Sequence, residues 1–151
     1  METDDLIDFS NDDLENLAKT AKFLNMGAAG RIYGPITFSY GICALKEVMF
    51  GEEHKDVMFK KFEAQKDIWT SLDHRNIIKI HCAQFHQNAL YILMGFAAGG
   101  CLGSTLRKIC QMNQSLPVNI VSDWSKQIAE GMLYLHEKKL VHRDLKPGNS
   151  K

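Results

Sequence analysis

The sequence predicts an α+β fold, because it combines two kinds of hydrophobic pattern. Short β-rich runs of strand length occur in the first two thirds of the chain, at 41–48, 77–82 and 89–94. Two longer segments, one from about 53 to 72 and one beyond Pro117, carry apolar residues every three or four positions, which is typical of helices. The chain has 151 residues, of which 45% are hydrophobic and 24% charged, and this is the composition of one globular domain.

The chain begins with an acidic segment. Its first fifteen residues contain seven acidic side chains and no basic one, whereas the net charge of the whole chain is zero. We interpret residues 1–19 as a solvated acidic arm, and a docking segment for a basic partner is the alternative. From Leu14 to Leu24 apolar residues recur at helical spacing, and the pattern leaves the boundary between a helix and a first strand open.

The cysteines and the N-terminus favour a cytoplasmic protein. The four cysteines show no paired CxxC spacing and no signal peptide is recognisable, so we expect reduced thiols. The longest uncharged stretch is interrupted by glycine, serine and threonine, so we expect no membrane span, and nothing indicates a nucleic-acid partner. His81, Cys82 and His86 suggest a metal site, but no second cluster completes four ligands, and core or surface roles are favoured.

Residues 140–149 read Leu-Val-His-Arg-Asp-Leu-Lys-Pro-Gly-Asn and resemble the catalytic loop of protein kinases. The resemblance implies that Asp144 orients the hydroxyl to be phosphorylated, that Lys146 neutralises charge on the moving phosphoryl group, and that Asn149 helps to hold a magnesium ion. Lysine and proline after the aspartate resemble the serine/threonine-directed branch. A plain turn is the alternative, and it is disfavoured because residues in this order do not often occur together by chance.

Residues 25–33 resemble the glycine-rich loop of kinases, with Asn25 in the place of the first glycine. Backbone amides can cover phosphates only where side chains are absent, and this accounts for Gly27 and Gly30. Asparagine tolerates positive φ better than most residues, so the substitution weakens the loop without forbidding it. A plain hairpin is the alternative interpretation of these small residues.

The run 41–48 predicts a strand, and its Ala44-Leu45-Lys46 resembles the third-strand motif of kinases. The resemblance implies that Lys46 contacts the α- and β-phosphates of ATP and that Ile32 and Ala44 enclose the adenine ring. A lone lysine on a strand is normally surface charge. Its position between Gly30 and a long helix favours the functional interpretation.

The segment from about 53 to 72 predicts one long helix, with an apolar stripe formed by Met58, Phe62, Trp69 and Leu72. Gln65 fills the gap in this stripe and is therefore predicted to point inward, whereas Glu63 faces outward. Kinases place a glutamate nine residues before the histidine of an L-x-H-x-N-I segment, where it pairs with the strand lysine. Here 72–77 fixes the register, and the position holds Gln65. A neutral amide cannot form an ion pair with Lys46, so the sequence also supports the hypothesis of a pseudokinase.

Residues 95–102 resemble the hinge between kinase lobes, with Met94 in the gatekeeper position. The resemblance implies that backbone groups of Gly95 and Ala97 hydrogen-bond adenine. An apolar strand that ends in a glycine turn is the alternative. Beyond Pro117 an apolar stripe predicts a buried helix that leads to the catalytic loop, and its members are Val121, Trp124, Ile128, Met132 and Leu135.

The resemblance implies a kinase domain at 20–151: a small lobe of antiparallel sheet and one long helix at about 20–94, a hinge at 95–102, and the first helices of a large lobe from 103. No D-F-G or A-P-E motif occurs, so we expect a domain truncated after the catalytic loop. Within the kinases, the sequence motifs resemble those of the tyrosine-kinase-like and mitogen-activated protein kinase kinase kinase groups.

The function implied is transfer of the γ-phosphate of ATP, with Mg²⁺, to a serine or threonine of a protein substrate in intracellular signalling. We expect the isolated chain to be inactive, because the aspartate of D-F-G is the principal magnesium ligand. The alternative is a pseudokinase or truncated kinase-like module that regulates a protein partner without phosphotransfer. Gln65 and Asn25 favour the module. The enzyme is favoured by four residues, Lys46, Asp144, Lys146 and Asn149.

Overall fold

The computed structural model describes residues 13–27, 30–38 and 41–150, which form two compact units. The first unit comprises the described residues up to Leu72 together with Lys79–Phe96. The second comprises Asp73–Ile78 and the described residues from Ala97 onward. The division at Phe96 falls inside the segment predicted as a hinge.

The first unit is an antiparallel sheet with helices. Its elements are α1 (Asp13–Thr20), β1 (Phe23–Gly27), β2 (Gly30–Phe38), β3 (Gly41–Met49), a 3₁₀ turn (Glu52–His54), α2 (Lys55–Glu63), α3 (Lys66–Ser71), β4 (Ile80–His86) and β5 (Ala89–Gly95). The five strands lie in the order β1-β2-β3-β5-β4, and every neighbouring pair is antiparallel. The predicted α+β class and antiparallel sheet are confirmed.

Alternation along β3 separates the two faces of the sheet. Cys43 and Leu45 are fully buried on one face, where α1 covers β3 and β5 with Leu14, which is also fully buried. Residues 13–19, which we predicted as part of a solvated arm, therefore form a packed helix, because the apolar spacing gives it a face to bury. Residues 1–12 of the predicted arm lie outside the described residues.

The prediction of one continuous helix over about 53–72 is wrong. The chain leaves the helix after Glu63 and starts α3 at Lys66, with Gln65 at φ −125° and ψ −17° before it. The rings of Phe62 and Trp69 remain in contact across the break, with centroids 6.3 Å apart. An amide buried without a partner is costly, and the break leaves Gln65 exposed to water while the apolar stripe stays packed. Glu63 is exposed, as predicted.

The fourth strand starts three residues later than predicted, at Ile80 instead of Ile77. The Ile77 N–H donates to the carbonyl of His74 at 2.9 Å, which makes a turn. The Lys79 ammonium donates to the carbonyls of Thr70 at 2.9 Å and Leu72 at 3.0 Å. These bonds tie the segment to the end of α3 before the ladder with β5 can begin.

The second unit contains α4 (Leu102–Gln111) and α5 (Val118–Glu137), and α5 begins directly after Pro117. The apolar stripe of α5 was predicted to be buried, and this is correct for Leu135 but wrong for Val121, which is 45% exposed. The other members of the stripe, Trp124, Ile128, Met132 and Leu135, line an open cleft of about 590 Å³ within this unit. Among the described helices, none has the length and apolar character needed to span a membrane.

Candidate active site

The loop after α5 holds the predicted catalytic residues in direct contact. The Lys146 ammonium lies 2.9 Å from each carboxylate oxygen of Asp144. The Asn149 side-chain amide donates to the Asp144 carboxylate at 2.7 Å and to its backbone carbonyl at 2.9 Å. One carboxylate is thus fixed by two donors from the same ten-residue segment, and we call these three residues the Asp144 clamp.

Local backbone geometry explains how the loop makes this arrangement. Arg143 has φ 63°, a left-handed conformation that costs a residue with a side chain on the order of 1–3 kcal/mol. The next residue, Asp144, donates its N–H to His142 Nδ1 at 3.3 Å, and the Asn149 N–H donates to the Lys146 carbonyl at 2.9 Å. These two turns bring Asn149 back to Asp144, five positions earlier in the sequence.

Helix α4 anchors the other end of the loop. Its first N–H groups have no partner within the helix, and those of Leu102 and Gly103 donate to the carbonyls of Ser150 and Pro147, both at 2.8 Å. A Cβ on Gly103 would lie 3.3 Å from Gly148 N and from Pro147 C, which is closer than ordinary contact. The absence of a side chain at Gly103 therefore lets the loop lie against the start of α4.

The electrostatics of the loop favour an ionised aspartate. The hydrogen bond from Lys146, and then that from Asn149, lower the pKa of Asp144 below its usual value. The carboxylate is exposed to solvent. Asp144 is therefore a charged acceptor that a hydroxyl group can reach.

Four of the predicted nucleotide-binding residues share one face of the sheet in the first unit. In the ladders, Lys46 lies opposite Ile32 on β2, and Ala44 lies opposite Met94 on β5. Directly opposed residues of antiparallel strands point to the same face, as do residues two apart on one strand. Ile32, Ala44, Lys46 and Met94 therefore lie together on the face opposite to α1.

The predicted glycine-rich loop lies at the turn of the β1–β2 hairpin, where Gly27 pairs with Gly30. Gly30 has φ 121°, and a Cβ there would overlap the backbone carbonyl of Glu47. Glycine is therefore required at position 30 by the close approach of β3, apart from any role toward phosphate. Residues 28 and 29, at the tip of this hairpin, lie outside the described residues.

The predicted adenine contacts lie where β5 ends. The Gly95 N–H donates to the Lys79 carbonyl at 2.9 Å, which closes the edge with β4. In the second unit the Ala97 carbonyl accepts the Gly100 N–H at 3.0 Å. The adenine-binding roles of Gly95 and Ala97 stay a prediction.

Comparison with known proteins identifies the family. A model described as protein tyrosine and serine/threonine kinase matches residues 19–149. The chain belongs to the protein kinase family.

Curated relatives of this kinase chain include Aurora kinase from Saccharomyces cerevisiae, 35% identical over 129 residues, which are 85% of this chain and 34% of that protein. Aurora kinase C from Mus musculus is 28% identical, with 83% of this chain and 45% of the relative covered. Mitogen-activated protein kinase kinase kinase 19 from Homo sapiens is 30% identical, and the match covers 85% of this chain and 10% of that protein. The chain thus spans less than half the length of these relatives.

Solved structures show the same fold. The kinase domain of PknI from Mycobacterium tuberculosis aligns with a TM-score of 0.71 at 25% sequence identity. The alignment covers 85% of this chain and 51% of the solved domain. The five-stranded sheet with its helices is therefore the small-lobe fold of a protein kinase.

One predicted site residue of this kinase chain is not placed as expected. Gln65 was predicted to point inward from a continuous helix, and that orientation is wrong because Gln65 is exposed at the break between α2 and α3. Its predicted role as the amide partner of Lys46 stays a prediction. Among the described residues, no group of three or more His, Cys, Asp or Glu side chains is placed to hold a metal ion.

The sequence analysis missed Glu47. This carboxylate is only 7% exposed and accepts hydrogen bonds from Tyr33, Tyr91 and Arg31. The signal was available, because alternation along β3 places the residue after Lys46 on the face that α1 covers. An acidic residue at such a core position requires partners on the neighbouring strands.

Proposed function

We propose that this chain carries the nucleotide-contacting and hydroxyl-orienting residues of an ATP- and magnesium-dependent protein serine/threonine kinase. The observation that supports this most directly is the Asp144 clamp. Lys146 and Asn149 both donate to the carboxylate and keep it ionised and fixed in orientation. A fixed, charged acceptor is what a substrate hydroxyl needs as its proton leaves.

The clamp residues have separate tasks in this proposal. Asp144 accepts the hydrogen bond of the serine or threonine hydroxyl and orients its oxygen. The Lys146 ammonium, 2.9 Å from the carboxylate, lies close enough to share its charge with a phosphoryl group that reaches the same hydroxyl. ATP, when bound, supplies that phosphoryl group, and Mg²⁺ neutralises its oxygens.

The donor chemistry of Asn149 fits a contribution to magnesium binding. Its amide nitrogen makes both hydrogen bonds to Asp144, so Oδ1 is the atom through which it would hold the cation. Mg²⁺ prefers oxygen ligands and usually keeps several waters. Asn149 thus supplies one ligand of the set that a kinase needs.

The sheet face that carries Lys46 fits a nucleotide. Ile32, Ala44 and Met94 provide apolar surface beside one ammonium group, as a flat base joined to anionic phosphates requires. At Gly30 the backbone comes close to β3 without a side chain. We propose that Lys46 contacts phosphate and that the three apolar residues contact adenine.

Serine/threonine specificity, a protein substrate and a cytoplasmic signalling role are part of the proposal. The specificity and the protein substrate rest on Lys146-Pro147 after Asp144 and on the similarity to Aurora kinases and to a mitogen-activated protein kinase kinase kinase. The cytoplasmic location rests on the unpaired spacing of the four cysteines. Because the chain spans only part of these relatives, substrates and pathway belong to the whole protein.

Titration of a fluorescent ATP analogue with Mg²⁺ into the 151-residue chain tests the nucleotide half of the proposal. Lys46→Met should weaken binding about tenfold or more, because a charge-assisted contact is lost. Lys60→Met, on the exposed surface of α2, is the matched control and should leave the affinity unchanged. Equal affinity in the two variants would contradict the assignment of Lys46.

Binding without phosphotransfer is a second candidate function, and Gln65 favours it. The position where kinases carry a glutamate holds a neutral amide, and that amide is exposed. In this case the chain would bind nucleotide or a protein partner through a kinase-like surface. Phosphate incorporation into a generic protein substrate that Asp144→Asn abolishes would exclude this alternative.

A further inference from the structure

Glu47 has a buried acidic side chain that accepts hydrogen bonds from three neighbouring side chains. It is 7% exposed, and among the described residues no other acidic or basic side chain is classed as buried. Its Oε2 accepts the Tyr33 hydroxyl at 2.7 Å and Arg31 Nη1 at 3.4 Å. Its Oε1 accepts the Tyr91 hydroxyl at 3.3 Å.

The donors come from both neighbouring strands. Arg31 and Tyr33 belong to β2, whereas Tyr91 belongs to β5, and β3 lies between these strands. In the ladders Glu47 is directly opposite Arg31 on one side and Tyr91 on the other. Each carboxylate oxygen therefore binds a different strand, and the side chain links three adjacent strands at one register position.

A charge here is not the simplest way to stabilise the sheet. Burying a carboxylate carries a desolvation cost that its partners do no more than offset, and apolar packing of the same volume is often as stable. What the carboxylate adds is direction, because its bonds form only when β2 lies in one register and at one distance. Burial, and then the bond to Glu47, raise the pKa of Tyr33, and burial raises that of Tyr91 to about 12, so both remain donors near neutral pH.

The backbone of Glu47 also contacts the hairpin formed by β1 and β2, which we call the glycine hairpin. Gly30 lies against the Glu47 carbonyl so closely that a Cβ would overlap it. Glu47 thus contacts β2 twice, through the carbonyl at Gly30 and through the carboxylate at Arg31 and Tyr33. Lys46, the preceding residue, points to the opposite face.

We propose that Glu47 is a positioning residue that fixes β2, and with it the glycine hairpin, onto the strand that carries Lys46. The consequence for nucleotide affinity rests on the function proposed above, whereas the effect on β2 does not. Loosening the Glu47 bonds to β2 should free the hairpin and weaken nucleotide binding without altering Lys46.

Hydrogen exchange of the full 151-residue chain without nucleotide tests the structural half. Tyr33→Phe removes the hydroxyl and keeps the ring that packs edge-on against Phe23, with centroids 5.9 Å apart. Exchange in β2 should become about tenfold faster, while β4 and β5 stay unchanged. Tyr91→Phe is the matched control, because it removes the bond to β5 and leaves both bonds to β2. Glu47→Gln, which keeps a carbonyl acceptor, should have a smaller effect than Glu47→Leu.

The same variants are then titrated with the fluorescent ATP analogue and Mg²⁺. Tyr33→Phe should weaken binding about threefold to tenfold, and Tyr91→Phe by less than twofold. Unchanged exchange in β2 of Tyr33→Phe would overturn the link between Glu47 and the hairpin. Faster exchange with unchanged affinity would overturn the positioning role. If the unaltered chain binds no nucleotide, the proposed function fails, and the positioning role fails with it, whereas the exchange result still decides the link.

Discussion

Gly103→Val should displace the loop that carries Asp144, Lys146 and Asn149, with a limited effect on the fold. A Cβ at this position would lie 3.3 Å from Gly148 N and Pro147 C and 3.5 Å from the Pro147 oxygen. The loop cannot retreat freely, because the N–H groups of Leu102 and Gly103 hold it through bonds of 2.8 Å. Two further methyl groups make the overlap worse, and overpacking of this kind costs about 1–3 kcal/mol. Replacement of a helical glycine offsets part of that cost, by at most about 1 kcal/mol.

The free energy of unfolding should therefore fall by no more than about 3 kcal/mol, while the Asp144 clamp opens. The assay is an NMR titration of the Asp144 carboxyl together with a chemical denaturation curve. We expect the pKa of Asp144 to rise toward its ordinary value, since Lys146 and Asn149 lose contact with it. Gly99→Ala is the matched control, because a Cβ there meets nothing within 4 Å. An unchanged pKa of Asp144 in Gly103→Val, or an equal shift in Gly99→Ala, would refute the reasoning.

Three further predictions address the clamp, the helix break and the core. Lys146→Met should raise the pKa of Asp144, because the hydrogen bond from Lys146 is the main cause of its low value. Any stability from this bond is present above the pKa of Asp144 in the unfolded state and is lost as the pH falls through the pKa in the folded state. An unshifted titration of the Asp144 carboxyl in the variant would disprove this prediction. Gln65→Glu should change nucleotide affinity by no more than about twofold, because the side chain is exposed; a tenfold gain would mean that the residue turns inward. Leu14→Ala should cost about 2–5 kcal/mol, since Leu14 of α1 is fully buried in the core beside β3 and β5, and a denaturation midpoint equal to that of the unaltered chain would show that α1 does not contribute to the core.

The strands near the centre of the sheet could be predicted closely from the sequence. β3 was expected at 41–48 and extends one residue further, and β5 was expected at 89–94 and also ends one residue later. The middle of β3 and most of β5 are buried, and apolar residues predominate there, which makes the two runs recognisable as strands. β4 lies at the sheet edge, where the turn at His74 and the bonds of Lys79 decide where pairing starts.

The helix break and the partners of the buried carboxylate could not be predicted in the same way. The spacing of Phe62 and Trp69 fits a continuous helix. In the structure the two rings contact each other across the break, so their packing does not require the helix to be continuous. The role of Glu47 depends on which side chains lie opposite it on β2 and β5, which a single strand does not reveal. The clamp motif was visible as a spacing, but the left-handed Arg143 and the anchoring at Gly103 come from tertiary contacts.

The alternation of Lys46 and Glu47 along β3 has a thermodynamic consequence. The two side chains point to opposite faces of the sheet. If Lys46 contacts nucleotide and Glu47 positions β2, as proposed, the free energy of nucleotide binding and that of the contacts around Glu47 are linked. Linkage is reciprocal. If breaking the hydrogen bond between Tyr33 and Glu47 lowers the affinity for nucleotide by a given factor, a bound nucleotide must favour formation of that hydrogen bond by the same factor. On the same proposal, a molecule that binds the α1 side of the sheet and prefers one arrangement of β2 would change the affinity for nucleotide. The size of that change is set by the difference in the molecule's own affinity for the two arrangements.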